Sequence, residues 1–341
     1  AFYTVGIEEN PGAGADPFNN GWLYRKRMTI DAAQISADLT NFPMLIKTTD
    51  PDLTAAQADF DDILFTAANG TMKLDHEIEN YNSGTGELVA WVEVPTVSST
   101  TDTDIYLYYG NATAVNQRNP TGAGVWEPNY VAVWHLNESS GTQIGDSTWN
   151  TNTGTKLSAT EPNPASGQIA GAQDFDGTND IITINNSSGI GHVLDFTAGP
   201  YTLSAWFNAE AQNRHIVGKK ITGSNQYQFG IGNNDPPNVF FGDDDETGVG
   251  STGLSYDGST WYYGAVVVDG SDNPELYVNG AQETWSGDPR PFTFTHQDVN
   301  VTIGMHSAAP FRGLIDEVRN SKTARPAAWA QAEYNKISQP A

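Results

Sequence analysis

Apolar and polar residues alternate with a period of two over much of the chain. Trp22, Tyr24, Lys26, Met28 and Ile30 fall on one face of a predicted strand. Five more strands are predicted over 41–47, 60–65, 72–81, 87–94 and 104–109. The piece Leu53–Ala58 reads as a short helix. A second series follows over 125–138, 181–184, 201–207, 215–220, 227–231, 261–268, 274–280 and 299–304. Segment 325–336 is the one good helix candidate, and Pro326 suits its first turn. Many short strands between Gly, Asn, Asp and Pro turns make an all-β chain.

Composition sharpens this reading. The 341 residues fit two domains, each long enough to bury its own core. The formal charge of −25 argues against phosphate-mediated binding of nucleic acid and against an anionic membrane surface. It suits a surface protein that holds Ca²⁺ through carboxylate oxygens. The absence of Cys excludes disulfides, thiolate catalysis and cysteine zinc sites. No run of ~20 apolar residues is present to span a bilayer. The chain opens at Ala1 without Met or a basic leading region, which reads as a mature, secreted form.

Residues 1–21 stand apart. Ala1–Ile7 is a short apolar strand, and 8–21 is a Gly/Pro/Asn-rich linker. The strand either folds back on an edge of its own domain or completes a sheet of a neighbouring copy. The thirteen residues Glu8 to Asn20, when extended, span on the order of 40 Å. A ~100-residue domain has a radius of gyration of about 13 Å, so a neighbour is within reach. Phe2, Tyr3, Val5 and Ile7 are the assembly residues of the second alternative.

Two motifs carry a resemblance. Phe175, Asp176 and Gly177 are followed by Asn179, Asp180 and the β-branched run 181–184. Near the end, Phe311–Arg319 contains Gly313, Ile315, Asp316, Glu317 and Val318, followed by Arg325, Pro326, Trp329 and Tyr334. Together with 202–207 and 276–280, they make residues 126–341 similar to a LamG-like, concanavalin A-like lectin/glucanase domain. Residues 22–125 resemble an uncharacterised prokaryotic domain that precedes such domains in secreted proteins. Trp22, Tyr24, Arg25, 41–43, Asp62, Ile63, 77–79, 90–92, Val94, Pro95 and 106–111 carry that likeness. The resemblance implies two tandem jelly-roll-like β-sandwiches, with the N-terminal strand as an extension and a short C-terminal helix.

Several residues invite chemistry. Asp75, Glu77 and Glu79 share one face of a predicted strand, with same-face neighbours about 7 Å apart. That lies within the spacing of glycosidase carboxylate pairs. Sandwich glucanases carry Glu-x-Asp-x-Glu; here the order is Asp-x-Glu-x-Glu, in the first domain, and a solvated strand face is the plainer reading. Asp174, Asp176, Asn179 and Asp180, with Asp316 and Glu317, offer oxygen ligands to Ca²⁺, and the LamG-like resemblance implies a structural Ca²⁺ near such segments. Asp243–Glu246 reads as a solvated hairpin tip. Trp149 and Trp285 fall in loops and are the candidates for stacking on sugar rings. No His-Glu-x-x-His, Gly-x-Ser-x-Gly, Walker A or Gly-x-Gly-x-x-Gly motif occurs.

The preferred reading is a non-enzymatic subunit of an extracellular filament on a prokaryotic cell surface. Copies would join head to tail by donation of the N-terminal strand, a contact that propagates without closing. The alternatives are a carbohydrate-binding or adhesion protein and a glycoside hydrolase on a sandwich.

Overall fold

A computed structural model of the chain describes residues 1–9, 21–117, 124–126, 128–158, 161–185, 192–212, 214–219, 227–232, 238–242, 253–284, 294, 298–304 and 310–339. The chain divides into two compact units. The first is Ala1–Glu127 together with Gln331–Ala341, and the second is Pro128–Ala330.

In the first unit the strands are β1 (Tyr3–Glu9), β2 (Tyr24–Ile30), β3 (Leu39–Thr49), β4 (Leu64–Ala67), β5 (Lys73–Leu74), β6 (His76–Asn82), β7 (Glu87–Val97) and β8 (Thr103–Tyr109). One sheet has the order β1-β2-β8-β4-β5 and the other β3-β7-β6, with antiparallel pairing throughout. On β2 the predicted face holds: Lys26, Met28 and Ile30 are buried. The predicted strand 72–81 is two strands. The chain changes sheets at Asp75, so β5 pairs with β4 while β6 pairs with β7. Phe42, Met44, Leu45 and Ile46 of β3, and Leu88 to Val92 of β7, are buried on both faces of the sheet. Near-continuous apolar runs of this kind belong to strands covered on both sides. Within this unit Lys336 lies over the rings of Phe42 and Trp91, and its Nζ donates to Pro43 O at 2.5 Å.

The leading strand corrects an expectation. β1 lies in the sheet of its own chain, with Tyr3 opposite Ile30, Thr4 opposite Thr29 and Val5 opposite Met28. Phe2 and Tyr3 are buried, Val5 is half-buried, and Ile7 is 84% exposed. The Tyr3 hydroxyl donates to Lys47 O and accepts from Lys47 N–H, both at 2.8 Å. Phe2 N–H donates to Gln339 O at 2.7 Å. The physical reason is local. The outer edge of β2 is open, and the apolar heads of Phe2 and Tyr3 find cover there without a second copy. Phe2, Tyr3, Val5 and Ile7 thus belong to a strand paired within its own chain rather than one offered to a neighbouring copy.

The second unit holds β9 (Tyr130–Trp134), β10 (Gln143–Ile144), β11 (Gly154–Lys156), β12 (Asn163–Ser166), β13 (Gly171–Asp176), β14 (Ile182–Ile184), β15 (Tyr201–Ala209) and β16 (Arg214–Gly218). It continues with β17 (Gln228–Ile231), β18 (Val239–Gly242), β19 (Tyr262–Val268), β20 (Pro274–Val278), β21 (Ala281–Gln282), β22 (Val301–Ile303) and β23 (Arg312–Ser321). One sheet runs β10-β11-β14-β22-β16-β17-β18 and the other β12-β13-β23-β15-β19-β20-β21, with β9 on the far half of β23. Alternate residues of β15 (Tyr201, Leu203, Ala205, Phe207) join Phe175, Ile182, Ile184, Phe229, Phe241 and Ile315 in one core. A bulge in β23, where Glu317 has φ of 53°, separates its pairing with Trp206 from that with Ser204. The helix α1 (Ala327–Ser338) closes the chain. The fold is all-β, with sandwich-forming sheets and one short C-terminal helix. Among the described residues no helix is long and apolar enough to cross a membrane.

Candidate ligand-binding site

Two polar turns of the second unit offer themselves to ligands, and they lie at opposite ends of the β11–β14 pair. Gly154 faces Ile184 and Lys156 faces Ile182. The 145–153 loop therefore leaves one end of the pair, and the turn before Ile182 enters the other.

The first turn is organised by Asp146. Its Oδ1 accepts the N–H groups of Val133 and Thr148, both at 3.0 Å, and its Oδ2 accepts Asn152 N–H at 2.7 Å and the Thr148 hydroxyl at 3.0 Å. Burial pushes the Asp146 carboxyl up, and these bonds pull the other way. Asn152 ties the loop to β9 through Val131 O at 2.7 Å, and the Trp134 indole donates to Asn152 O at 2.8 Å. At the tip of this braced loop Trp149 is 66% exposed. A flat aromatic face held out on a rigid turn is a stacking platform with little ordering left to lose. The pattern of residues marks Trp149 but does not reveal the brace. Asp146 followed by Ser, Thr and Asn is the signal that was available.

The second turn lies between β13 and β14. Asp176 Oδ1 accepts Thr178 N–H at 2.7 Å and Asn179 N–H at 3.3 Å, and Asp180 Oδ2 accepts Asp176 N–H at 2.8 Å. Asp180 Oδ1 is buried without a partner, although the residue is only 2% exposed. Burial pushes the Asp180 carboxyl up, and Asp176, Glu161 and Asp174 add negative charge against its ionisation. Burial likewise raises Asp174, with Glu210 and Asp176 adding to it. An orphaned buried carboxylate oxygen under the charge of three further carboxylates has the chemistry a hard divalent cation seeks. Glu161, ahead of β12, joins Asp174 and Asp176 in that charge, although among the described residues these four do not close to metal-ligand spacing.

The remaining predicted ligands are placed elsewhere. Asn179 is exposed and enters the turn through its backbone N–H. Asp316 is fully buried, and its Oδ2 accepts Ile169 N–H at 2.9 Å, which holds the β12–β13 connection. Glu317 accepts His135 Nδ1 at 2.7 Å and Arg319 Nε at 3.2 Å. Burial opposes its ionisation, yet His135 and Arg319 hold the carboxyl below its ordinary range. Trp285 and Asp243–Glu246 lie outside the described residues.

In the first unit Asp75 falls outside the predicted row, while Glu77 and Glu79 share a face. Asp75 precedes β6, and the pairing of β6 with β7 shifts between Ile78 and Asn80, which puts Glu79 at the irregularity. Glu77 Oε2 accepts the Trp126 indole N–H and Glu79 Oε2 that of Trp91, both at 2.8 Å. The two indoles pack with centroids 5.4 Å apart. These carboxylates satisfy buried donors, a role that period-two alternation alone does not reveal.

Comparison with known proteins finds two family models, each matching part of the chain. Residues 176–331 match the family model described as the concanavalin A-like lectin/glucanases superfamily. Residues 59–152 match a domain of unknown function, DUF2341. No curated protein matches the chain at a significant level. Among solved structures, domain 4 of AbnA, a GH43 extracellular arabinanase from Geobacillus stearothermophilus in complex with arabinotriose, is 19% identical. That match covers 62% of this chain and 98% of the other, with a TM-score of 0.47. The binding domain of Paraclostridial Mosquitocidal Protein 1 is 12% identical over 62% of this chain and 53% of its own, at a TM-score of 0.45. Trypanosoma rangeli sialidase is 10% identical over 74% and 43%, at 0.47. The matched parts thus make up about half of the mosquitocidal binding domain and less than half of the sialidase. At these identities and scores the likeness assigns neither a ligand nor an activity.

Proposed function

We propose that this chain, which carries a DUF2341 domain followed by a concanavalin A-like lectin/glucanase domain, is a secreted carbohydrate-binding protein without turnover of its own. The observation that carries the proposal is Trp149, an exposed indole on a loop braced through Asp146 and Asn152. A sugar ring stacks on such a face, and polar groups at its rim fix orientation. The lectin and glucanase family matched over residues 176–331 suggests a glycan as the ligand class, while Trp149 itself falls in the stretch matched to DUF2341. Binding rather than hydrolysis is favoured because Glu77 and Glu79 spend oxygens on indole donors. Self-assembly by strand donation is not part of the proposal, since β1 is used at home.

A divalent cation of the Ca²⁺ kind belongs to the same proposal. Asp174, Asp176, Asp180 and Glu161 would hold it, and it would neutralise the charge gathered at the head of β14. Lys156 is a competitor there. Burial lowers its amine, while Glu138 and Asp180 favour its charge.

A glycan array probed with the full chain, with and without Ca²⁺, tests the reading. Specific binding is expected, with Trp149→Ala weakening it about tenfold or more, the equivalent of ~1.4 kcal/mol. A chain that binds no glycan, or a Trp149→Ala variant that binds as well as the parent, would sink it.

A further inference from the structure

Three lysines of the described residues are almost completely buried against carboxylates, and their surroundings differ. Lys26 meets both Asp50 at 2.5 Å and Asp52 at 2.6 Å, and Asp52 is half open to water. Lys336 meets Glu333 at 2.7 Å, a backbone carbonyl and two aromatic faces. Each has several partners that favour the charged amine. Lys219 is different. It is 1% exposed, and its Nζ contacts the Asp195 carboxylate through Oδ1.

An aromatic cluster borders this pair. Phe196 packs on Tyr201 and Tyr227, with centroids 4.9 and 5.3 Å apart, and the Tyr227 hydroxyl donates to Leu194 O at 3.3 Å. The Lys219 N–H donates to Tyr227 O at 3.0 Å, which fixes the lysine beside the aromatic group. Asp195 is fixed as well. Its Oδ2 accepts the backbone N–H of His192 at 3.1 Å, and its own N–H donates to His192 O at 2.9 Å. The His192 ring accepts Leu194 N–H at Nδ1, 3.2 Å away.

We propose that Lys219 and Asp195 condense to an intramolecular isopeptide bond. The bond would tie the end of β16, in one sheet, to the segment that leads into β15, in the other. Desolvation makes the charged pair expensive, so a proton passes from the ammonium to the carboxylate across their contact and leaves a neutral amine and a neutral acid. The Nζ lone pair then attacks Cγ of Asp195, and an N–C bond forms. Charge develops on Oδ2, where the backbone N–H of His192 already points, as in an oxyanion hole. The bond from Cγ to Oδ1 breaks, and that oxygen leaves as water with the acid proton and one amine proton. The sum is amine plus carboxylic acid giving amide plus water, with no oxidant, reductant or co-reactant.

The electrostatics agree with this geometry. Burial brings the Lys219 amine down to about 8, against the opposing charge of Asp298. Contact with Asp195 favours the charged amine too, so the neutral pair is reached by transfer within the contact rather than by loss of a proton to solvent. Burial also lowers His192, helped by Lys219 and Lys322.

Intact-mass measurement of the denatured full chain tests the bond, because an ion pair does not survive denaturation. The expected mass is one water below that of the sequence. Peptide mapping should place the loss in a branched peptide joining the segments around Asp195 and Lys219. Lys219→Arg keeps the charge but cannot form the amide, and is expected at full sequence mass. A parent chain at full sequence mass, or a water loss mapped to another site, overturns the proposal. The parent measurement decides even if the variant fails to fold.

Discussion

The two units close in different ways. The second is a continuous piece of chain, Pro128–Ala330, whereas the first takes its last pieces from both ends of the sequence. β1 supplies an edge strand, and residues beyond Gln331 supply Asn335, Lys336 and Gln339, which reach Gln34, Pro43 and Phe2. Their carboxylates differ as well. In the first unit Asp62 accepts the N–H groups of Gln57, Gly110 and Asn111, and Glu77 and Glu79 accept indoles. In the second, Glu138 Oε2 and Asp180 Oδ1 are buried without partners among the described residues. The contrast teaches where to look for ligands. A carboxylate whose oxygens are spent on the protein is a strut, and one with a buried oxygen left over is waiting for a proton or a cation.

The largest effect that would break this contrast is a truncation. Removing residues 331–341 should unfold the first unit and leave the second folded, read as selective proteolysis of residues before 128. A truncated chain whose two units resist protease equally would show that the ends are dispensable. Next, Phe2→Ala should cost about 3–5 kcal/mol in the unfolding of the first unit, as for other buried aromatics. A calorimetric transition unmoved by the change would mean that β1 is not anchored. Glu77→Ala should cost ~1–3 kcal/mol, because the Trp126 indole N–H loses its acceptor. A stable variant with altered activity on a glycan would instead restore the glycosidase reading.

Asp180→Asn sharpens the other side of the contrast. The folded carboxyl is raised, so its contribution to stability is full below the unfolded value of ~3.9 and is lost as pH rises through the folded one. At neutral pH without metal the ionised group is a burden. The variant should then be the more stable form at pH 7, with the advantage shrinking toward pH ~4. Added Ca²⁺ should raise the melting temperature of the parent and not of the variant; equal responses would remove Asp180 from the site. The smallest expected change is in Trp149→Ala, whose stability should stay within about 0.5 kcal/mol of the parent while glycan binding falls.

Much of the fold was legible in the chain. Period-two alternation located β2, because a half-buried strand must sort its side chains by face, and runs of apolar, β-branched and aromatic residues located β3, β7, β8, β15 and β19. The pattern failed at residues 72–81, where alternation continues through Asp75 although the chain changes sheets. It also ran Asp75 into one row with Glu77 and Glu79, although Asp75 precedes β6. Trp149 was legible as a loop aromatic, and Asp174, Asp176 and Asp180 as a cluster, since both are local in sequence. Glu161, the Asp146 brace and the Lys219–Asp195 contact were not, because each depends on which distant segment the fold brings alongside.

The sequence by itself determined the all-β class, the order of the two domains and the acidic surface. These follow from local periodicity, turn chemistry and charge, which each residue carries wherever it is placed. Tertiary structure alone decided that β1 stays in its own sheet, that Glu317 is spent on internal partners, and that an oxygen of Asp180 is left over among the described residues. Those outcomes rest on competition between partners far apart in the chain. A donor or acceptor is committed only when folding has fixed which neighbour reaches it first and how little water remains between them.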